Sequence, residues 1–325
     1  MEKHITIPIA GSKTVYDVAA VEKTLAQMDV SESPVVRRIY RKMITAGGDR
    51  WLLKPSSTNL FDWLYEACPN FAPVIDDLNK YLHLAVFGGG TLNNMPLVLA
   101  GDPGVGKTHF AECFADALGT EFSMISMQNV TAGWVLSGAA PTWTGARLGR
   151  VASTLLDGPV ANPVMLCDEI DKARVTEQGS VCGPLFDLLE PRTSNRFRDE
   201  FIDIAIDASS LTWIATCNDL TKIDSALLDR SGVYEVRPPT PGESRQIGQA
   251  LYHRLITVNN WAFEPKLSDA ALAAVAGIPQ RAMRKRITDA LGTACVAKRT
   301  EVLPEDFFTS NVAKKDKSMG FLANV

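Results

Sequence analysis

No run of roughly 18 apolar residues occurs in the chain, so nothing in it is long enough to cross a membrane as a helix. The apolar stretch near the start, Ile5 to Ala10, is too short for the core of a signal peptide. Cysteines stand at 68, 113, 167, 182, 217 and 295, and none forms a C-x-x-C pair. The histidines at 4, 83, 109 and 253 show no metal spacing. A disulfide framework and a zinc ribbon are therefore not expected. Cys113, Cys167 and Cys217 lie in apolar runs and read as small buried hydrophobes. There is no excess of positive charge: 33 Lys and Arg face 37 Asp and Glu, a net charge of -4. Proteins built to grip duplex nucleic acid are usually more basic, so nucleic acid is disfavoured as the main partner, although a local basic stripe stays open. No internal repeat or low-complexity tract is found. A soluble, reducing, cytoplasmic setting with no membrane contact is the expectation.

What is present is an ordinary globular composition, 46% apolar and 22% charged, in a chain of 325 residues. That length suits one large domain or two ordinary ones. Residues 1–70 read as a helical N-terminal region, with helices over Val15 to Met28 and Val35 to Met43 and Ser31 and Ser33 as caps between them. Phe71 to Phe87 reads as one amphipathic helix, broken by Gly88-Gly89-Gly90. Beyond Met95, apolar strands alternate with helices. The strand candidates are Leu97–Ala100, Phe122–Met127, Val164–Cys167, Leu211–Cys217 and Val233–Val236. This alternation predicts an α/β domain over 71–240, a parallel sheet with helices on both faces. Pro238, Pro239 and Pro241 mark its end. Residues 241–310 read as a small helical domain, with helices over Gly242–Val258, Ser268–Ala276 and Gln280–Arg299 and a short one after Pro304. A charged tail, 311–325, follows.

The chemistry starts at Gly101-Asp102-Pro103-Gly104-Val105-Gly106-Lys107-Thr108, which follows a strand candidate and opens a helix. That is the setting of a phosphate-binding loop. Glycines let backbone N–H groups curl around phosphate oxygens with no Cβ in the way. Lys107 supplies a point charge for the β- and γ-phosphates, Thr108 a hydroxyl for Mg²⁺, and the helix its positive end. ATP and Mg²⁺ are the ligands this loop implies.

Two further strands aim at the same edge. Val164-Met165-Leu166-Cys167 delivers Asp168 and Glu169 at its C-terminal end, where ligands bind in open α/β sheets. Asp168 would hold Mg²⁺ opposite Thr108, and Glu169 would polarise the attacking water. Read without the loop, the pair would be solvated acids at a strand end. Leu211 to Cys217 delivers Asn218, whose amide can donate to a γ-phosphate and accept from a water. Read alone, an Asn after a strand is a turn residue.

Together these residues resemble the AAA+ ATPases, and among them the ATPase module of Lon-type proteases, over about residues 70 to 310. Asp168-Glu169-Ile170-Asp171-Lys172 is similar to that family's extended second motif, and Ile214-Ala215-Thr216-Cys217-Asn218 to its first sensor. Ala226-Leu227-Leu228-Asp229-Arg230 is similar to the segment with the arginine finger, and Leu188-Leu189-Glu190-Pro191 and Phe197-Arg198-Asp199-Glu200-Phe201 to the stretch between. The resemblance implies a P-loop fold with a helical lid and a homo-oligomeric ring, usually a hexamer, with ATP at subunit boundaries. Arg230 would then reach the neighbour's γ-phosphate; a surface ion pair with Asp229 is its plainer reading, and Arg192, Arg196 and Arg198 compete for the role. Pro279-Gln280-Arg281-Ala282-Met283 resembles the second sensor, so Arg281 would contact phosphate from the lid. Arg284, Lys285 and Arg286 follow it, and a basic helix face is the alternative. Trp143-Thr144-Gly145 resembles the central pore loop that grips unfolded polypeptide, with Trp and Thr at its aromatic and aliphatic positions; an ordinary packed Trp is the alternative. Trp134 nearby reads as packing.

A Lon protease continues into a Ser–Lys proteolytic domain. No candidate dyad is found here, so no peptidase activity is expected; a counterpart of the large family N-domain is not recognised either. The leading expectation is a Mg-dependent ATPase that remodels or translocates a protein substrate. Its rivals are a nucleic-acid motor or loader and a nucleotide-gated assembly switch. The pore-like Trp143 favours the first, the acidic balance disfavours the second, and the small N-terminal region keeps the third open.

Overall fold

The structure is a computed structural model that describes residues 9–29, 33–93, 95–130, 132–173, 175–176 and 179–308. The expected cap Ser31, His4 and the tail 311–325 lie outside the described residues. The chain divides into two compact units, Met1–Pro239 and Thr240–Val325.

The first unit is built on a five-stranded sheet. Its N-terminal part supplies β1 (Ile9–Thr14) and β2 (Asp49–Lys54), which pair antiparallel beside that sheet, and α1 (Val18–Gln27) and α2 (Pro34–Ala46) between them. Then come α3 (Asp62–Ala67) and α4 (Ala72–Gly88). The sheet strands are β3 (Leu97–Ala100), β4 (Phe122–Ser126), β5 (Val164–Asp168), β6 (Thr212–Cys217) and β7 (Gly232–Glu235). They lie in the order β7-β3-β6-β5-β4, every pair parallel.

The strand sequences explain this placement. All four residues of β3 are buried, as are Val164 to Cys167 of β5. Near-continuous apolar runs suit inner parallel strands that are covered on both faces. Side chains alternate across a strand, so Val98, Ala100, Met165, Cys167, Trp213 and Cys217 share one core. Their alternates Leu97, Leu99, Val164, Leu166 and Ile214 are buried as well. Helix α5 (Lys107–Leu118) lies against β5 and β6, and α6 (Arg150–Asp157) puts Val151 and Leu155 into the shared core. Phe110 on α5 stacks on Phe71, ring centroids 4.6 Å apart, and Phe61 meets Phe114 at 5.4 Å.

Register sets the working edge. Cys217 pairs with Ala100, and Ala215 with Cys167. The C-terminal ends of β3, β5 and β6 therefore stop side by side, and the segments 101–108, 168–171 and 218 leave from one edge.

The N-terminal part holds both expected helices, as α1 and α2, and adds the antiparallel pair β1–β2, which the helical reading lacked. Val15, Tyr16, Val21, Val36, Tyr40 and Met43 join the sheet's core. The Tyr16 hydroxyl donates to the Met43 and Gly47 carbonyls, and the Tyr40 hydroxyl donates to the Ile202 carbonyl. Helix α1 starts one residue after Asp17, whose carboxylate caps Ala19 N–H at 2.9 Å. Arg50 on β2 is buried and donates to the Leu155 and Leu156 carbonyls at 2.9 and 3.1 Å, closing the C-terminal end of α6. Helix α4 ends where a glycine was expected to end it: Gly89 takes φ 62.

The second unit is helical: α7 (Pro241–Val258), α8 (Asp269–Val275) and α9 (Gln280–Val296), then a 3₁₀ turn, Pro304–Phe307. Thr240 and Glu243 form a reciprocal capping box at the start of α7. Ile247, Leu251, Tyr252, Val275, Met283, Ile287 and Leu291 make its core. Arg299 clasps Asp306 with two hydrogen bonds, 2.7 and 3.0 Å. Among the described residues no helix is long and apolar enough to cross a membrane.

Candidate active site

The loop after β3 turns tightly because Gly104 and Gly106 take φ 89 and 103, where a side chain would strain the backbone. Gly101 is demanded by space: a Cβ there would stand 2.5 Å from the Val236 carbonyl oxygen. Asp102, Pro103 and Gly104 are exposed, while Val105 is buried and anchors the loop. Lys107 heads α5 and is itself buried. Its ammonium donates to the Gly101 carbonyl at 2.6 Å, the Asp102 carbonyl at 3.1 Å and Asn218 Oδ1 at 3.0 Å. Burial pulls the Lys107 pKa below the usual lysine range, and the negative charges of Asp168, Asp171 and Asp102 oppose that pull.

Thr108 donates its hydroxyl to Asp168 Oδ1 at 2.9 Å. Thr216 on β6 donates to the same oxygen at 2.7 Å and accepts the Glu169 N–H at 2.9 Å. One hydroxyl thus joins both acids at the end of β5. Glu169 itself sits at φ 56, ψ 51, left-handed for a residue with a Cβ. That conformation reverses the chain as it leaves the strand, and the Thr216 bond holds it there. Asp171, two residues on, is buried with Lys172 Nζ 3.2 Å from its Oδ2.

The structure therefore brings together Gly101 to Thr108, Asp168, Glu169 and Asn218. Two more residues belong to this assembly and were not singled out in the sequence. Thr216 is one. Asn70 is the other: its buried amide donates to the Val105 and Arg237 carbonyls, both at 3.1 Å, and ties the loop to the end of the β7 segment. Thr216 stood inside the quoted run Ile214 to Asn218. Asn70 carried no local signal, because both its partners are distant in sequence.

Arg230 follows the short helix Ser225–Leu228, its Nη1 donating to the Ala226 carbonyl at 2.6 Å. Its Nε is buried without a hydrogen-bond partner. Arg192, Arg196 and Arg198 are exposed, and Arg198 pairs with Asp203 at 3.0 Å. Arg281 is exposed in the first turn of α9, within the second unit, as are Arg284, Lys285 and Arg286.

Trp143 is 58% exposed, at the tip of the loop 138–149. Trp134 lies back at its base with the Arg147 guanidinium 5.1 Å over its ring. A fully buried carboxylate, Asp199, holds the base: it accepts Gly149 N–H at 2.7 Å and Phe201 N–H at 2.9 Å. A Cβ on Gly138 would strike the same carboxylate at 2.2 Å. Burial pushes the Asp199 pKa up to about 6, against the downward pull of those backbone hydrogen bonds.

Between roughly pH 4, the ordinary carboxylate value, and about 6, the folded chain holds this proton more tightly than the unfolded chain does. The contribution to stability is full below that window and is lost as pH rises through it. We expect the unfolding free energy from urea titrations to decline across it by at most about 1.4 kcal/mol per pH unit from this group. Asp199→Asn should remove that slope; equal slopes in both proteins would refute the assignment.

Comparison with known proteins places this geometry. Residues 97–238 match the model of the ATPase family associated with various cellular activities (AAA). The chain is 33% identical to a Lon protease of Campylobacter concisus over 225 residues, 66% of this chain and 28% of that protein. It is 35% identical to a Lon protease of Salinispora arenicola over 191 residues, 58% of this chain and 25% of that protein. A solved structure of the Thermotoga maritima RuvB Holliday junction branch migration motor superposes with a TM-score of 0.48 at 21% identity, covering 73% of this chain and 67% of that one. The chain thus spans 28% and 25% of the length of these two Lon proteases, and the family-model match falls on the segment that holds β3 to β7. It carries a nucleotide-binding AAA+ ATPase module of Lon-like type.

Proposed function

We propose that this chain hydrolyses magnesium-bound ATP at the Gly101–Thr108 loop and uses the cycle to remodel or translocate a protein substrate as a homo-oligomeric ring, a hexamer by resemblance. The observation that carries the hydrolytic part is the chain of contacts Thr108–Asp168–Thr216–Glu169 beside Lys107–Asn218.

These residues fit a magnesium nucleotide. A hydroxyl and a carboxylate meet at 2.9 Å, oxygen ligands of the kind Mg²⁺ takes. The left-handed glycines leave backbone N–H groups unobstructed for phosphate oxygens. When bound, Mg²⁺ neutralises charge on the β- and γ-phosphate oxygens. Lys107 would exchange its loop carbonyls for those oxygens. Glu169, fixed by its own N–H, would take the proton of the attacking water, and Asn218 would orient that water or the γ-phosphate. Arg230 would complete a neighbour's site, since a guanidinium stays charged and holds two oxygens at once. Such a finger is worth about 10³–10⁵ in rate. Arg281 would read the phosphates from the helical unit.

The protein-substrate part rests on Trp143, a large exposed ring on a loop whose base is locked by Asp199. A ring can grip any sequence by contact area. We expect the purified chain to hydrolyse ATP only with Mg²⁺, and an unfolded model polypeptide to raise turnover several-fold. Trp143→Ala should keep basal turnover and lose the stimulation. Turnover that instead rises with duplex DNA, and falls steeply with salt, would reassign the substrate to nucleic acid.

A further inference from the structure

We propose that Cys68, His109 and Cys113 form a zinc site in the first unit, one helical turn into α5 from the phosphate loop. Their ligand atoms all lie within 4.8 Å of one another. Cys113 Sγ stands 3.3 Å from His109 Nε2. Tetrahedral zinc, with Zn–S of about 2.3 Å and Zn–N of about 2.0–2.1 Å, sets sulfur and nitrogen donors roughly 3.5 Å apart. The pair is thus spaced for a shared ion before any side chain moves.

The supporting structure points the same way. His109 and Cys113 are four residues apart on α5 and so share a face. Cys68 comes from the corner after α3, where the chain bends into Pro69. Both cysteines are buried, at 2% and 0% exposure, and the His109 side chain keeps 15%. His109 Nδ1 lies 3.9 Å from Cys113 Sγ and 3.9 Å from Glu112 Oε2, so Nε2 is the nearer of the two ring nitrogens to the sulfur. That distance is beyond hydrogen-bond length, so the Glu112 carboxylate contributes negative charge near a bound cation and does not fix the ring. Thiolate and imidazole donors select zinc over the oxygen-preferring Mg²⁺, so this site would not compete for the nucleotide's metal. Three protein donors leave the fourth tetrahedral position to solvent on the His109 side.

The site has a mechanical consequence. Helix α5 begins with Lys107 and Thr108, and Asn70, two residues beyond Cys68, already holds the Val105 carbonyl. An ion joining Cys68 to α5 would fasten the same corner a second time. This inference does not depend on the nucleotide reading.

Titration of the full chain with Co²⁺ under reducing conditions tests it. We expect a thiolate-to-cobalt charge-transfer band that saturates at one equivalent and is bleached by Zn²⁺. Cys68→Ser and Cys113→Ser should each abolish it, while Cys295→Ser, on the exposed end of α9, should keep it. His109→Gln changes a half-buried position and serves if the cysteine variants do not fold. It should weaken binding by more than the roughly 10–100-fold typical of losing a second-shell partner. No band in the wild-type chain, a band that survives in either cysteine variant, or unchanged affinity in His109→Gln would each overturn the proposal. So would a Cys68–Cys113 disulfide in the freshly isolated chain, which would make the pair a redox couple instead.

Discussion

Lys107→Ala should lose ATP binding by about 100-fold or more, read by calorimetry with Mg²⁺ present. The ammonium is buried and holds three oxygens of the chain itself, at Gly101, Asp102 and Asn218. Hydrogen bonds to a charged group contribute about 1.5–3 kcal/mol each, and a factor of 100 needs about 2.8 kcal/mol. One or two bonds from the ammonium to phosphate oxygens supply that. The folded state should survive, because the variant also removes a desolvated charge. Lys107→Arg should not restore binding. A planar guanidinium is broader than an ammonium, and the space beside Asn218 Oδ1 is set for a point charge. Normal ATP affinity in Lys107→Ala would remove this lysine, and with it the loop, from the nucleotide site.

The parts of this molecule that the sequence revealed are those whose chemistry is contiguous. The loop from Gly101 to Thr108 could be read because strand, glycines, lysine and helix follow one another within a few residues. Asp168 and Asn218 could be read because each ends an apolar run, and parallel pairing sends such ends to one edge. The strands β3 to β7 start and stop within one residue of their expected bounds; for the inner strands β3, β5 and β6 this is because buried parallel strands are near-continuous apolar runs, while the edge strands β4 and β7 are mostly half-buried or exposed.

What stayed hidden depends on contacts between distant segments. Strand β2, Asp-Arg-Trp-Leu-Leu-Lys, lacks the alternation of a half-buried strand, and its Trp51 is 58% exposed. Its pairing with β1 comes from tertiary packing, which overrides local preference. Asn70 gained its role only when the chain brought Val105 and Arg237 to it. The four histidines showed no metal spacing, and Cys113 read as a small hydrophobe. His109 and Cys113 were four apart in plain view, but a two-ligand pair is no site until Cys68 arrives from before α4. Glu169 was legible as an acid and illegible as a left-handed residue, since nothing local demands φ 56 there.

That backbone conformation makes Glu169→Gln the more discriminating of the two large-effect variants. Glutamine keeps the Cβ, the side-chain length and the N–H that Thr216 accepts at 2.9 Å. The turn after β5 should therefore form as before, and the unfolding midpoint should stay close to wild type. Only the capacity to take a proton is lost. Positioned general bases contribute about 10²–10⁴ in rate, so steady-state phosphate release should fall by that factor, roughly 3–5 kcal/mol of barrier. ATP should still bind, because Lys107, Thr108 and Asp168 keep their contacts with one another and with the loop. The two variants thus separate in opposite ways: one fails to bind, the other binds and fails to turn over. If Glu169→Gln releases phosphate at near the wild-type rate, this acid is not the base. The buried Asp171, held by Lys172 at 3.2 Å, would then be the next carboxylate on the same edge to test.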